Sequence, residues 1–364
     1  MRVLGIETSC DETAAAVVAE TGNPERPWAL ASSVVASQGA IHREWGGVVP
    51  ELASRQHVRD ICGVVEAALE RAGTSLDAID GLAVTQGPGL VGSLLVGVAF
   101  AKSMALARGV PVIPTHHLAG HLESLTLAHG ELPLPAAVLV VSGGHTSLYL
   151  VPARGTYRLI GRTRDDAAGE AYDKVAKLLG LPYPGGPVID RLAREGDDRA
   201  IDFPATRLTH PDRNAPRDTA AGILPPDVAR RIDFSFSGLK TAVLHHVRKA
   251  SADGVPMTEG HIADICASFQ RVVVTALLDR TFEAARWLDA RSVGIAGGVS
   301  ANSRLRAEAE VRGRKHGLPV FVPPLSLSTD NAAMIAAAGL RRFRTAGHIA
   351  DWEFNAEASL ALTT

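Results

Sequence analysis

The stretch Ser292-Val293-Gly294-Ile295-Ala296-Gly297-Gly298-Val299-Ser300-Ala301-Asn302 reads as a short β-strand running into a glycine loop, and the chain carries this pattern twice. After it, Ser303 to Arg314 is predicted helical, Leu318 to Pro323 a strand, and a further helix is expected to open near Ser328-Thr329-Asp330-Asn331. The earlier copy has Gly81 to Thr85 as strand and Gln86-Gly87-Pro88-Gly89-Leu90-Val91-Gly92 as loop. A long helix to Arg108 and a strand over Val110 to Pro114 complete it. A helix over Leu118 to Leu127 follows directly, as in the second copy.

Each copy is preceded by a hairpin. Arg2 to Thr8 and Thr13 to Ala19 flank the acidic tip Ser9-Cys10-Asp11-Glu12, with a third strand near Ser32 to Ser37. Ala136 to Val141 and Ser147 to Val151 flank Ser142-Gly143-Gly144-His145-Thr146. Two lobes of similar design are therefore expected, over residues 1–130 and 131–325, with 326–364 returning toward the first. Equivalent loops of two such lobes converge on the cleft between them, where ligand sites form preferentially.

The first copy ends in Pro114-Thr115-His116-His117-Leu118-Ala119-Gly120-His121. On a helix His117 and His121 share one face, which suits one metal ion and equally suits two ordinary histidines. A zinc peptidase of the H-E-x-x-H type needs a glutamate directly after the first histidine, and Leu118 stands there. The duplication supplies a third ligand. Asp330 occupies the place in the second copy that His117 has in the first, although Thr329-Asp330-Asn331 also suits a helix cap. His, His and Asp would leave positions open for substrate.

The glycines of Ser142 to Thr146 and Gly297-Gly298 allow backbone N–H groups close to phosphate oxygens, which suggests a nucleotide. Neither a P-loop nor a dinucleotide-binding fingerprint is present. Asp165 to Gly180 is predicted helical with acidic residues at its start, and Asp173 within it could accept hydrogen bonds from a sugar. Tyr183 to Pro187 reads as a loop, and Leu208 to Pro226 as a long surface excursion. Phe234 to Thr241 re-enters structure without a nucleophilic serine motif. The glycine loop Trp45-Gly46-Gly47 feeds a helix that begins with Pro50-Glu51-Leu52-Ala53-Ser54-Arg55-Gln56-His57.

Composition frames these motifs. The 364 residues fit two domains on a prior of about 150 each, and 46% hydrophobic content with 35 glycines and 21 prolines fits a loop-rich α/β protein. The 37 Lys and Arg nearly balance the 39 Asp and Glu, so no global basic field points to nucleic acid and nothing argues for a membrane surface. The cysteines Cys10, Cys62 and Cys266 are too scattered for a disulfide framework, and no apolar span of ~20 residues is free of charge and turn residues. A cytoplasmic protein is expected.

Taken together, Glu7 to Thr13, His117 to His121, Val141 to Thr146, Asp165 to Lys174, Gly185 to Pro187, Phe234 to Thr241, Gly297 to Asn302 and Thr329 to Asn331 resemble, in order and over nearly the whole chain, the universal threonylcarbamoyladenosine-forming transferases of tRNA in their bacterial form. The excursion over Leu208 to Pro226 is longer than that family usually carries. The resemblance implies an α/β, two-lobed actin-like ATPase fold, a duplicated ribonuclease H-like unit with an interlobe cleft. It implies transfer of a threonylcarbamoyl group from threonylcarbamoyl-adenylate to N6 of the adenosine 3′ of the anticodon, in tRNAs reading codons that begin with A. His117, His121 and Asp330 would hold one Fe2+ or Zn2+. Val140, Val141, Ser142, Gly143, Gly144, Asp173, Gly186, Asp190 and Asn302 would bind the adenylate. An inactive paralogue as heterodimer partner and a small ATPase are the implied protein partners. Asp11 is the expected proton acceptor, with Glu12 beside it, because the matching hairpin tip is the nucleotide loop. The rival readings are an ATP-dependent kinase or ATP-binding module of the same fold, and a metalloprotease.

Overall fold

In the computed structural model, which describes residues 1–205, 223–346 and 352–362, the strands form two five-stranded sheets. The first takes β1 (Arg2–Glu7), β2 (Glu12–Glu20), β3 (Trp28–Ser37), β4 (Gly81–Gly87) and β5 (Val112–His116) in the order β3-β2-β1-β4-β5. The second takes β6 (Ala136–Val141), β7 (Thr146–Ala153), β8 (Thr156–Arg162), β9 (Ser292–Ala296) and β10 (Val320–Phe321) in the order β10-β9-β6-β7-β8. Read from the hairpin outward, the two orders are the same. β1 pairs antiparallel with β2 and parallel with β4, and β6 pairs antiparallel with β7 and parallel with β9. The repeat seen in the sequence is thus a repeat of topology.

The helices are α1 (Gly39–Arg43), α2 (Pro50–Arg71), α3 (Val91–Arg108), α4 (His117–His129), α5 (Ala168–Leu178), α6 (Gly185–Leu192), α7 (Pro226–Ile232), α8 (Ser237–Ala252), α9 (Glu259–Trp287), α10 (Ser303–His316), α11 (Leu325–Ser328) and α12 (Ala332–Ala346). One compact unit comprises Met1–Leu132, Arg154–Tyr157 and Pro323–Thr364; the other comprises Pro133–Ala153 and Arg158–Val322. α3 and α9 are long and apolar enough to cross a membrane by length and composition, yet their buried faces belong to the cores of their own units.

In the first unit α12 lies directly on the sheet because both surfaces are made of small residues. A Cβ on Gly5 of β1 would stand 2.2 Å from the Ala332 carbonyl oxygen, and one on Gly339 would meet Ala83 of β4 at 2.5 Å. α4 approaches the same helix at Gly120, where a Cβ would meet Ile335 at 2.9 Å and Met334 at 3.0 Å. A buried ion pair secures the contact. Glu123 of α4 accepts from Nε and Nη2 of Arg341 of α12 at 3.0 and 3.1 Å, from the Tyr157 hydroxyl at 2.6 Å and from the Trp28 indole at 3.2 Å. Every lone pair of that carboxylate with a buried neighbour is used, which is the condition under which a buried charge is tolerated.

Local chemistry explains where the structure departs from the sequence reading. The last expected strand shrinks to Val320–Phe321 because Pro319, Pro323 and Pro324 offer no N–H to a ladder. The expected helix opening near Ser328 divides into α11 and α12, and Thr329-Asp330-Asn331 lies between them. Gly185-Gly186-Pro187 opens α6 instead of forming a loop: Asp173 accepts from the Gly185 N–H at 2.7 Å, and Pro187 in the first turn has no N–H to waste. Asp165 and Asp166 stand before α5, not in it. Asp165 accepts from the Phe236 N–H and from the Ser235 and Ser237 hydroxyls at 2.7, 2.5 and 2.6 Å, and Asp166 pairs with Lys174 and Lys240. The excursion expected over 208–226 falls, apart from 223–226, outside the described residues.

Replacing Glu123 with alanine leaves the Arg341 guanidinium buried beside Glu131 alone. This should cost about 3–5 kcal/mol, the usual penalty for breaking a buried pair from one side. Denaturant unfolding of the variant against the parent chain measures it, and a loss below about 1 kcal/mol, the scale of a surface pair, would contradict the assignment.

Candidate metal centre and glycine cluster

β5 ends at His116 and α4 opens at His117 with His121 one turn further on, and each of these three histidines has a different task. His116 is the helix cap: its Nδ1 accepts from the Leu118 N–H at 3.0 Å while its Nε2 donates to the Leu360 carbonyl at 3.1 Å. Burial pushes its pKa down to about 4, so the imidazole stays neutral and keeps this pair of roles. His117 turns its Nδ1 to Glu7, with Oε2 at 3.0 Å and the Ser9 hydroxyl at 3.2 Å, and its Nε2 toward Asp330 at 3.7 Å. His121, one turn on, has its Nε2 3.2 Å from the same Asp330 oxygen. The two rings meet edge to face at 4.8 Å.

His117, His121 and Asp330 have the geometry of a metal centre, and two observations favour an ion there. Neither ring nitrogen of His121 makes a hydrogen bond although the residue is fully buried, and its 3.2 Å approach to Asp330 lacks hydrogen-bond direction. Both nitrogens would be left at the full cost of desolvation without a further partner. Around His117 the electrostatics point the same way. Burial opposes charge on the ring, but the Asp330 and then the Glu7 carboxylate outweigh it and raise the pKa to about 9. The field that holds a proton there also holds a cation. One ligand atom from each residue lies within 4.8 Å of the others, a spread that small readjustments bring to the roughly 3.4 Å separation set by ~2.1 Å ligand bonds around an ion. No other such group occurs among the described residues. Two imidazoles and a carboxylate suit Fe2+ or Zn2+ and leave coordination positions open.

Asp330 reaches this place because its neighbour takes the capping task. Asn331 accepts from the Met334 N–H at 3.0 Å, which frees the Asp330 carboxylate to turn toward α4. The role of Glu7 was not foreseen in the sequence, although a carboxylate closing an apolar strand was a visible signal. It is fully buried, accepts from the Ser9 N–H and the Thr85 hydroxyl at 2.5 and 2.8 Å, and fixes the His117 ring as carboxylates commonly do behind a metal-bound imidazole. Asp11 lies in the hairpin turn and Glu12 opens β2. Burial first, and then the charges of Asp330 and Asp11, push Glu12 well above the carboxylate range, and a hydrogen bond joins its side chain to that of Asp11.

In the second unit the glycines fall into two kinds. A Cβ on Gly297 (φ 93°) would stand 2.4 Å from the Val141 carbonyl, one on Gly169 2.6 Å from that of Ser142, and one on Gly185 2.5 Å from Ala176. These three pack the β6 end, the start of α5, the start of α6 and the loop after β9 against one another. Gly143, Gly144, Gly186 and Gly298 border open space instead, with nothing within 4 Å of a Cβ. Val140 and Val141 are buried in β6, and Ser142 closes the turn by accepting from the His145 N–H at 3.2 Å. Asp190 and Asn302 are used inside the unit. Asp190 accepts from the Ser303 hydroxyl at 2.8 Å and from Gln270 at 3.2 Å, and Asn302 caps α10 and donates to Gln270 at 2.7 Å. Gln270 links the two.

The tRNA N6-adenosine threonylcarbamoyltransferase family model matches residues 29–337. The chain is 55% identical over 340 residues to the tRNA N6-adenosine threonylcarbamoyltransferase of Anaeromyxobacter dehalogenans, covering 93% of each chain. It is 52% identical over 363 residues to that of another Anaeromyxobacter strain, covering 100% of each. With the protein of that name from Moorella thermoacetica it shares 51% identity over 94% of this chain and 92% of the relative. Among solved structures, component A of the Acidaminococcus fermentans (R)-2-hydroxyglutaryl-CoA dehydratase superposes with a TM-score of 0.51 at 13% identity, over 96% of this chain and all of that one. Full-length HypF gives 0.55 at 12% identity, over 94% of this chain and 56% of HypF. At such identities the likeness is of fold, the actin-like ATPase class.

If the centre holds an ion, His117→Ala and Asp330→Ala should each release it from an otherwise folded chain, and Glu7→Gln should weaken affinity roughly 10- to 100-fold, the scale of lost support behind a ligand. Metal content by elemental analysis, with circular dichroism as the folding control, tests this. Full occupancy in the ligand variants would exclude the centre.

Proposed function

Because the chain belongs to the family of tRNA N6-adenosine threonylcarbamoyltransferases, we propose that it moves a threonylcarbamoyl group from threonylcarbamoyl-adenylate to N6 of the adenosine 3′ of the anticodon, in tRNAs reading codons that begin with A. The observation that carries the reading is the set of buried His117 and His121 with half-buried Asp330, both His121 nitrogens lacking hydrogen bonds. When bound there, Fe2+ or Zn2+ supplies a Lewis acid that orients the threonyl carboxylate or hydroxyl.

The remaining chemistry is modest. The acyl carbon is already activated, with AMP as leaving group, so the protein has to position it beside a weakly nucleophilic amine and accept one proton. Gly143, Gly144, Gly186 and Gly298 offer backbone at open positions for the adenylate, while Val140, Val141 and Ser142 fix that backbone from below. Asp173, Asp190 and Asn302 complete the adenylate site, and they also hold the backbone around it, Asp173 at Gly185 and the other two at the start of α10. Asp11, in the hairpin turn with Glu12 beside it, accepts the N6 proton. The same reading includes the paralogue and the small ATPase as partners, and a cytoplasmic location with the tRNA. The protease reading is disfavoured by Leu118, which is buried where a peptidase needs a general base. A kinase reading has no use for the buried histidine pair.

Two substitutions separate binding from chemistry. Gly298→Ala adds a methyl group that meets no protein atom within 4 Å, so weaker adenylate binding by calorimetry would report contact with the ligand itself, and unchanged affinity would move the nucleotide elsewhere. Asp11→Asn should leave metal and adenylate binding intact and slow tRNA modification by roughly 10²- to 10⁴-fold, the scale of a lost general base. A wild-type rate in that variant, at saturating adenylate and with partners present, would return Asp11 to an ordinary turn residue.

A further inference from the structure

Helix α2, which begins with Pro50-Glu51-Leu52-Ala53-Ser54-Arg55-Gln56-His57, takes no part in the chemistry above, yet its His57 heads a buried polar chain that ends at the acidic hairpin tip. Thr13, Gln38, His42 and His57 are each no more than 1% exposed. His57 Nδ1 lies 2.8 Å from the Thr13 hydroxyl and 3.3 Å from the Gln38 amide nitrogen, and its Nε2 lies 3.0 Å from the Cys10 carbonyl. The carbonyl can only accept and the amide nitrogen can only donate. The ring must therefore carry its proton on Nε2 and accept at Nδ1.

The rest of the chain is equally determined. Gln38 Nε2 also donates to the Ala53 carbonyl at 3.3 Å, and its Oε1 accepts from His42 Nε2 at 3.1 Å, which leaves His42 Nδ1 to accept from the Val49 N–H at 3.3 Å. The Gln38 backbone N–H donates to the Asp11 carbonyl at 3.0 Å. Two successive carbonyls of the tip, those of Cys10 and Asp11, are thus held by His57 and Gln38, and they flank the Asp11 Cα from either side. A fully satisfied buried network has one arrangement, so the tip inherits one position.

We propose that His57 is a positioning residue for tRNA modification, holding the Cys10-Asp11-Glu12 tip in register through its hydrogen bond to the Cys10 carbonyl. This rests on the assignment of Asp11 as proton acceptor. His57 touches no reacting atom. Its loss leaves the metal ligands and the second-unit glycines unaltered and displaces the acceptor.

The test compares His57→Gln, His57→Asn and His57→Leu in the full chain. A glutamine amide reaches about as far as the imidazole Nε2 and can still donate to Cys10; an asparagine reaches only as far as Nδ1. With tRNA, threonylcarbamoyl-adenylate and partner proteins, the glutamine variant should keep kcat within about threefold, and the other two should lose roughly tenfold to 10²-fold in kcat with KM little changed. A second readout is independent of turnover. Cys10 is half-buried, Cys62 is exposed and Cys266 is buried, so alkylation of Cys10 relative to Cys62, followed by peptide mass spectrometry, reports the closure of the tip. It should speed up several-fold in the asparagine and leucine variants and not in the glutamine variant, at unchanged metal content. Should the leucine variant fail to fold, the asparagine and glutamine variants carry the comparison by themselves, in kcat and in Cys10 labelling. Asparagine and glutamine variants that behave alike in both assays overturn the proposal. A wild type that labels as expected and modifies no tRNA overturns the function, and the labelling then decides the positioning by itself.

Discussion

The close approach of α4 to α12 is the constraint on which the rest of the first unit depends. Gly120 lets the helices meet at a distance that no side chain would allow, and Glu123 with Arg341 makes the contact costly to loosen. The metal ligands sit on either side of that contact: His117 and His121 flank Gly120 on α4, and Asp330 stands just ahead of α12. An alanine at Gly120 would press on the Ile335 and Met334 side chains, at 2.9 and 3.0 Å. The fold and the centre therefore share one packing contact.

A second constraint is electrostatic. Glu7 and Asp330 face the His117 ring and Asp330 also faces His121, Asp11 and Glu12 form the tip that follows Cys10, and the consequences appear in the groups near these carboxylates. His117 is raised, Glu12 is raised and the Cys10 thiol is pushed far up, in the last two mainly by burial and then by these carboxylates. A group of carboxylates of that sign, with Glu7 buried among them, favours a cation in its midst. Glu7 has its own compensation in the Ser9 N–H, the Thr85 hydroxyl and His117, which lets it orient an imidazole without competing as a ligand.

The two units show how one topology takes on two kinds of work. Both place a hairpin beside a parallel pair of strands, and both run from strand to glycine loop to helix. In the first unit the loop after β4 is closed by the chain end: Gly89 donates to the Ala358 carbonyl, and a Cβ on Gly87 would strike the Glu357 carbonyl at 2.0 Å. In the second unit Gly143, Gly186 and Gly298 remain open. The difference lies in what covers the backbone.

The sequence alone determined what depends on local order. Strand, glycine loop and helix follow from periodicity and from the conformations glycine permits, so the duplicated architecture was legible before any coordinates, and so was the pair His117 and His121, which needs only helical spacing. Repetition even brought Asp330 forward as a third ligand, although the reason given, that it opens a helix, gave way to Asn331 as the cap. What only the tertiary structure decided is which polar atoms remain available. Asp190 and Asn302 read as ligand groups in the sequence, and the fold also gives them Ser303, Gln270 and the start of α10 as partners. Asp165 read as a helix-start charge, and it binds the Phe234–Ser237 segment. Glu7 and His57 stood in quoted stretches without a role of their own, and burial with a full set of partners gives each its role. The physical reason is common to all of them: a hydrogen-bonding group is defined by its neighbours in space, and those neighbours are set by packing between segments that the sequence places far apart.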